Sequence, residues 1–160
     1  MDKEDISPAD AIALPTADAA EEAFYTALQT GNLDQLMACW IDVGGDGEDK
    51  GDACVCVHPG GGRMLGKAAI RGSFAAIFQH GPIPVQPLEV TRMEAHGASV
   101  HSVLERIEVQ TDEGPRQAII LATNCYLLTL AGWRLVAHHA SPGGLLMQQE
   151  GMPQQPYTLH

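Results

Sequence analysis

A change of hydrophobic period partway along the chain constrains the fold more than any other feature. From Asp18 onward, Ala20, Phe24, Ala27 and Leu28 recur at helical spacing until Gly31-Asn32 stops the run. Asn32 is placed to cap a second helix, on which Leu33, Leu36, Met37 and Trp40 form one apolar stripe. A third helical run, Lys67 to Phe78, turns Ile70, Phe74, Ile77 and Phe78 inward and ends near Gly81-Pro82. Beyond it the period falls to two. Val85–Ala95, Val100–Gln110, Arg116–Leu130 and Trp133–Ala140 are β-branched and alternating. They are separated by His96-Gly97, Asp112-Glu113-Gly114-Pro115 and Ala131-Gly132. The last two connections are of hairpin length, so the strands they join run antiparallel. Helices first and a strand meander after predict an α+β fold, with helices packed on one face of a curved antiparallel sheet.

The 160 residues suit one domain, read as 17–142 between a leader of 1–16 and a Gln- and Pro-rich tail of 143–160. Nine Lys+Arg against twenty Asp+Glu give a formal charge of −11. There is no surplus of cations to displace the counterions of nucleic acid or to hold an anionic membrane surface. No apolar run approaches the roughly 18–20 residues that span a bilayer. The acidic start Met1-Asp2-Lys3-Glu4-Asp5 is unlike a secretory signal, so a cytoplasmic location is expected.

Three segments invite ligand readings and fail on spacing. The acidic, Gly-rich stretch 42–52 is no calcium loop: counted from Asp42, position 12 is Ala53, where a bidentate Glu is needed. Pro59-Gly60-Gly61-Gly62-Arg63-Met64-Leu65-Gly66 lacks the Lys-Ser/Thr pair of a phosphate loop and reads as a flexible turn. Cys54, Cys56 and His58 would share a face if Ala53–His58 were a strand. Thiols two residues apart on a strand are roughly 6.5–7 Å apart at Cα, too far for two bonds of about 2.3 Å to one zinc. Free thiols and no metal are the expectation.

Alternation sorts the remaining polar residues. On the long strand Ala118, Ile120, Ala122, Asn124, Tyr126 and Leu128 share one face; Ile119, Leu121, Thr123, Cys125 and Leu127 share the other. Both faces are apolar, so both should be covered. Small alanines beside an amide and a phenol suit a concave pocket with a few polar groups. His101, Val103, Glu105, Ile107 and Val109 alternate together, which carries Glu105 inward. His138 and His139 alternate, so one of them must point in.

The assembled residues resemble a known family. Phe24-Tyr25-x-Ala27-Leu28-x-x-Gly31-Asn32-Leu33, with Trp40 following, is similar to the opening helices of the nuclear transport factor 2-like superfamily. Val57-His58-Pro59-Gly60-Gly61 and Gly66-x-x-Ala69-Ile70-Arg71, with Phe74 and Phe78, look like its SnoaL-like branch. So do Ala122-Thr123-Asn124 and Gly132-Trp133-Arg134-Leu135-Val136 leading to His138-His139-Ala140-Ser141-Pro142. The resemblance runs from about residue 18 to 142. It implies a cone-shaped sheet wrapped against three helices around a pocket, a homodimer made by the outer sheet faces, and His138 as the inward histidine. It implies no single activity, because this fold hosts isomerases, cyclases, dehydratases and non-catalytic modules. The Asp base of the steroid isomerases and the Asp–His pair of the polyketide cyclases have no evident counterpart here.

Two functions are therefore expected in competition. One is a cofactor-independent isomerase, lyase or cyclase, with His58, Glu105 and His138 handling protons on a small carbonyl or carboxylate compound. Trp40, Arg63, Asn124 and Tyr126 would bind that compound, with Arg71 a weaker candidate that can simply face solvent. The other is a non-catalytic dimeric ligand-binding or protein-interaction module, in which Glu105 pairs with Arg63 or Arg106 and His138 and Asn124 satisfy buried backbone groups.

Overall fold

A computed structural model describes residues 13–42 and 54–145. The acidic stretch 43–53, most of the leader and the tail from 146 lie outside the described residues. Helix α1, Ala17–Thr30, begins where the Thr16 side chain accepts from the Ala19 amide. It ends at Gly31, whose φ of 67° reaches the left-handed region that closes a helix. Asn32 caps α2, Leu33–Ala38, by accepting from the Gln35 amide at 3.0 Å. That helix is shorter than the apolar stripe suggests. Trp40 has left it and instead pairs with Leu135 as an isolated bridge.

Six strands follow: β1 (Val55–Val57), β2 (Arg63–Leu65), then β3 (Val85–Ala95), β4 (Ala98–Thr111), β5 (Gly114–Thr129) and β6 (Gly132–Leu145), with α3 (Lys67–Phe78) between β2 and β3. They form one sheet in the order β2-β1-β6-β5-β4-β3. Two expectations need correction. The Gly-rich turn contains an edge strand, β2, too short for its three residues to reveal a period. The sheet is mixed rather than wholly antiparallel, because β1 lies parallel to β6. β1 is separated from β6 in the chain by four strands and a helix, so no hairpin dictates its direction. The β4/β5 and β5/β6 hairpins are locked alike, by Thr111 Oγ1 donating to the Gly114 carbonyl and Thr129 Oγ1 to that of Gly132.

Register shifts at Pro87/Glu89, Ile119/Ile120 and Cys125/Tyr126 bend the long strands, as bulges do. The curved sheet takes α1 against β3, β5 and β6. Phe24, fully buried at the centre of this contact, meets Tyr25, Trp40 and His138 edge-on or tilted. β6 runs to Leu145, past the Ala140 at which its alternation fades, and pairs Gly144 with Ile119.

Candidate functional site

The polar centre of the molecule is built from α1 and the middle of the sheet. The buried side of α1 comprises Ala17, Ala20, Glu21, Phe24, Tyr25, Ala27 and Leu28, so one carboxylate and one phenol enter the core a turn apart. Opposite them the register sets Cys56, His138, Asn124 and His101 side by side across four strands. The same faces of β4 and β5 add Ser99, Glu105 and Tyr126. Every one of these groups from Glu21 to His138 is at most 6% exposed.

Their hydrogen bonds form one connected network. Glu21 Oε2 accepts from His101 Nδ1 at 2.8 Å, from the Tyr126 hydroxyl at 2.8 Å and from Asn124 Nδ2 at 3.4 Å. Asn124 Nδ2 also donates to the Tyr25 oxygen at 3.0 Å, and Tyr25 donates to Glu105 Oε1 at 2.6 Å. Asn124 Oδ1 faces His138 Nδ1 at 2.5 Å. Ser99 Oγ closes the far end against His101 Nε2 at 3.0 Å. Glu105 Oε2, Glu21 Oε1 and His138 Nε2 take no hydrogen bond within the described residues, yet none is sealed from solvent. Among the described residues, the sealed polar side-chain atom left without a partner is Trp40 Nε1, in an indole that is 1% exposed.

Burial sets the protonation states. It pushes Glu105 up to about 7; the Tyr25 hydrogen bond opposes this and the charge of Glu21 adds to it. Burial drives His138 down to about 3, helped by His58 and His139, so the ring is neutral at neutral pH. The Tyr25 and Tyr126 phenols are raised by the same burial and stay protonated. Burial likewise holds the Cys39 and Cys56 thiols at about 12.

The structure gathers some of the expected residues and scatters others. Glu105, Asn124, Tyr126 and His138 meet in the network; His139 points outward and is exposed. His58 lies outside it. Its Nε2 is bonded to Ser73 Oγ of α3 at 2.5 Å, its ring stands edge-on to Phe74, and burial lowers its pKa. Arg63 is exposed on edge strand β2, and Arg71 pairs with Asp34 on the surface. The expected partners of Glu105 are otherwise engaged or distant: Arg106 bonds Gln86, and Tyr25 takes the carboxylate. Among the described residues no three His, Cys, Asp or Glu side chains converge as a metal site. A shallow depression of about 300 Å³ on the outer sheet face, lined by Pro84, Gln86, Arg106, Glu108 and Gln117, touches none of the expected catalytic or ligand-binding residues.

Sequence reasoning passed over Glu21, Tyr25 and Ser73. For Glu21 a signal existed: it is the single acid among the positions of α1 that share the stripe of Ala17, Ala20, Phe24 and Leu28. Ser73 had none, since its partner arrives from another element.

Comparison with known proteins places the fold. The profile of the SnoaL-like domain matches residues 18–143. A solved protein from Thiobacillus denitrificans, provisionally assigned as a calcium/calmodulin-dependent protein kinase type II association domain, is 33% identical, with 82% of this chain and 98% of that one covered and a TM-score of 0.68. A provisionally assigned dehydratase of the nuclear transport factor 2-like family from Streptomyces avermitilis is 27% identical over 78% of this chain and 92% of its own, with a TM-score of 0.67. A ketosteroid isomerase-like protein from Erwinia carotovora, 14% identical over 79% and 93% with a TM-score of 0.60, shares the fold. No curated protein matches the sequence.

Proposed function

The chain belongs to the SnoaL-like family of the nuclear transport factor 2-like superfamily, and on that premise we propose that it is a cytoplasmic, homodimeric small-molecule protein performing cofactor-independent acid–base chemistry in the interior of its cone. One observation carries this reading. A continuous hydrogen-bonded path joins a carboxyl that titrates at about 7, Glu105, to a neutral imidazole, His138, through Tyr25 and Asn124. A carboxyl that changes protonation near neutrality is what an isomerase, lyase or cyclase needs to move a proton on a small carbonyl or carboxylate compound, and the neutral imidazole accepts a hydrogen bond from that compound. The buried, partnerless N–H of Trp40 is a donor that a ligand oxygen would satisfy. Aliphatic residues would fill this space at lower desolvation cost, so two carboxyls and two histidines here favour a site over a core. Because each group is at most 6% exposed, a ligand enters only as neighbouring side chains move, by shifting the protein toward an open state. His58, fixed by Ser73, lies beside this centre as a third histidine, close enough to help lower the pKa of His138.

A thermal-shift screen of small cyclic ketones and carboxylates tests the reading. A ligand at about 100 times its Kd raises the apparent Tm by roughly 5–10 °C. Glu105→Gln and His138→Gln are expected to abolish the shift. If no compound moves Tm, or if both variants respond like the parent, the small-molecule reading fails.

A second reading, a non-catalytic association module, is favoured by one other observation. Met93, Leu121 and Leu127 stand 53%, 43% and 38% exposed in a single chain, a face suited to a second copy of this chain or to another protein. The assignment of the 33%-identical relative as an association domain agrees with it.

A further inference from the structure

The directions of the hydrogen bonds in the buried network follow from one group. Glu21 Oε2 only accepts, so His101, Tyr126 and Asn124 must all donate to it. This settles which way the Asn124 amide faces: its oxygen turned toward Glu21 would oppose the carboxylate oxygen. With Nδ2 directed at Glu21 and at the Tyr25 oxygen, Oδ1 is left for His138 and accepts from Nδ1. The Tyr25 oxygen, occupied by the amide, sends its own proton to Glu105 Oε1. Any proton that Glu105 carries then sits on Oε2. The two free ends of the network acquire opposite polarity, a bare lone pair at His138 Nε2 and a donor at Glu105 Oε2.

We propose that Glu21 is the positioning residue of this site: through Asn124 it fixes His138 as the Nδ1–H tautomer, leaving Nε2 as hydrogen-bond acceptor and Glu105 Oε2 as donor at the opposite end. Glu21 itself need touch no substrate. It acts through the amide, as outer hydrogen-bond partners fix the tautomer of a metal-bound histidine. The functional meaning of this polarity rests on the small-molecule reading above, but the tautomer does not. The polarity also narrows what each end would hold: Nε2 takes a hydrogen-bond donor such as a hydroxyl, and Oε2, when protonated, an acceptor oxygen such as a carbonyl.

Two-bond ¹H–¹⁵N correlation spectra of histidine-labelled protein at pH 7, without ligand, read the tautomer directly. In the parent protein His138 is expected as Nδ1–H with a pyridine-type Nε2. Glu21→Met removes the acceptor that orients the amide, so both tautomers should appear. Glu21→Gln keeps an acceptor oxygen and should restore the Nδ1–H form, a rescue that loss of packing would not produce. Asn124→Leu, which deletes the intermediary, should move the ring toward Nε2–H even if Glu21→Met does not fold. A parent ring already in the Nε2–H form, or an Nδ1–H form surviving in a folded Glu21→Met protein, overturns the proposal. The expected tautomer together with a silent ligand screen would leave the arrangement standing and remove only the small-molecule reading.

Discussion

The two faces of strands β4 and β5 invert the usual relation between polarity and exposure. Inward lie Ser99, His101, Glu105, Asn124 and Tyr126, polar and at most 4% exposed. Outward lie Leu121, Thr123 and Leu127, largely apolar and exposed in the single chain. The inner face tolerates its polarity because each group finds partners among the others and on α1, so desolvation is offset by hydrogen bonds in a medium of low dielectric. The outer face has no such internal solution. Its register rows set Leu104, Leu121 and Ser141 together, then Ser102, Thr123, His139 and Val57, then Val100, Cys125, Ala137 and Val55. A surface of this composition is stabilised by covering it, which supports the homodimer proposed for this chain. One face is organised for specificity and the other for area.

The inner face breaks most severely when its hub is removed. Glu21→Ala leaves the Tyr126 hydroxyl, His101 and an Asn124 donor without an acceptor in the core, and should cost about 3–5 kcal/mol in urea unfolding at pH 7. A loss below about 1 kcal/mol would mean that the network relaxes or hydrates freely. Next in size is the pH dependence of Glu105. Its folded pKa is raised from 4.5 to about 7, so its stabilising contribution is complete below 4.5 and is lost as pH rises through 7. That span corresponds to about 3 kcal/mol. Glu105→Gln, which still accepts from Tyr25, should therefore be more stable than the parent at pH 8 and nearly equal to it at pH 4.5. Parallel urea curves at the two pH values check this; equal parent stability at both would contradict the buried, raised carboxyl. Smallest is the effect of the outer face on the fold itself. Leu121→Asp with Leu127→Asp should alter the stability of dilute, dissociated chain by no more than about 0.5 kcal/mol. In light scattering the same pair should convert a dimer mass to a monomer mass. A parent that is already monomeric at micromolar concentration removes the proposed homodimer.

Much of the fold was legible because its determinants are local. The Thr16 and Asn32 caps, the Gly31 stop, the period-two strands and the short connections each act within a few residues. The edge strand β2 was hidden by its three-residue length, and the parallel pairing of β1 by its dependence on a crossover. Within the site, alternation placed Glu105, Asn124 and Tyr126 inward correctly, since a strand cannot turn one side chain without its neighbours. It did not reveal that Glu105 would meet a tyrosine instead of an arginine, nor that His58 would bond a helix serine.

By its sequence alone the chain determined its elements, its meander of strands and which side chains enter the core, because periodicity and capping are written in neighbouring residues. Only the folded chain decided who meets whom. Glu21 and Tyr126 lie 105 positions apart, Tyr25 and Glu105 lie 80 apart, and their bonds exist only once α1 settles into the concave side of a bent sheet. Burial then shifts the acid and the imidazole to protonation states that neither residue has in an open chain, because desolvation belongs to the packed core and not to any stretch of sequence.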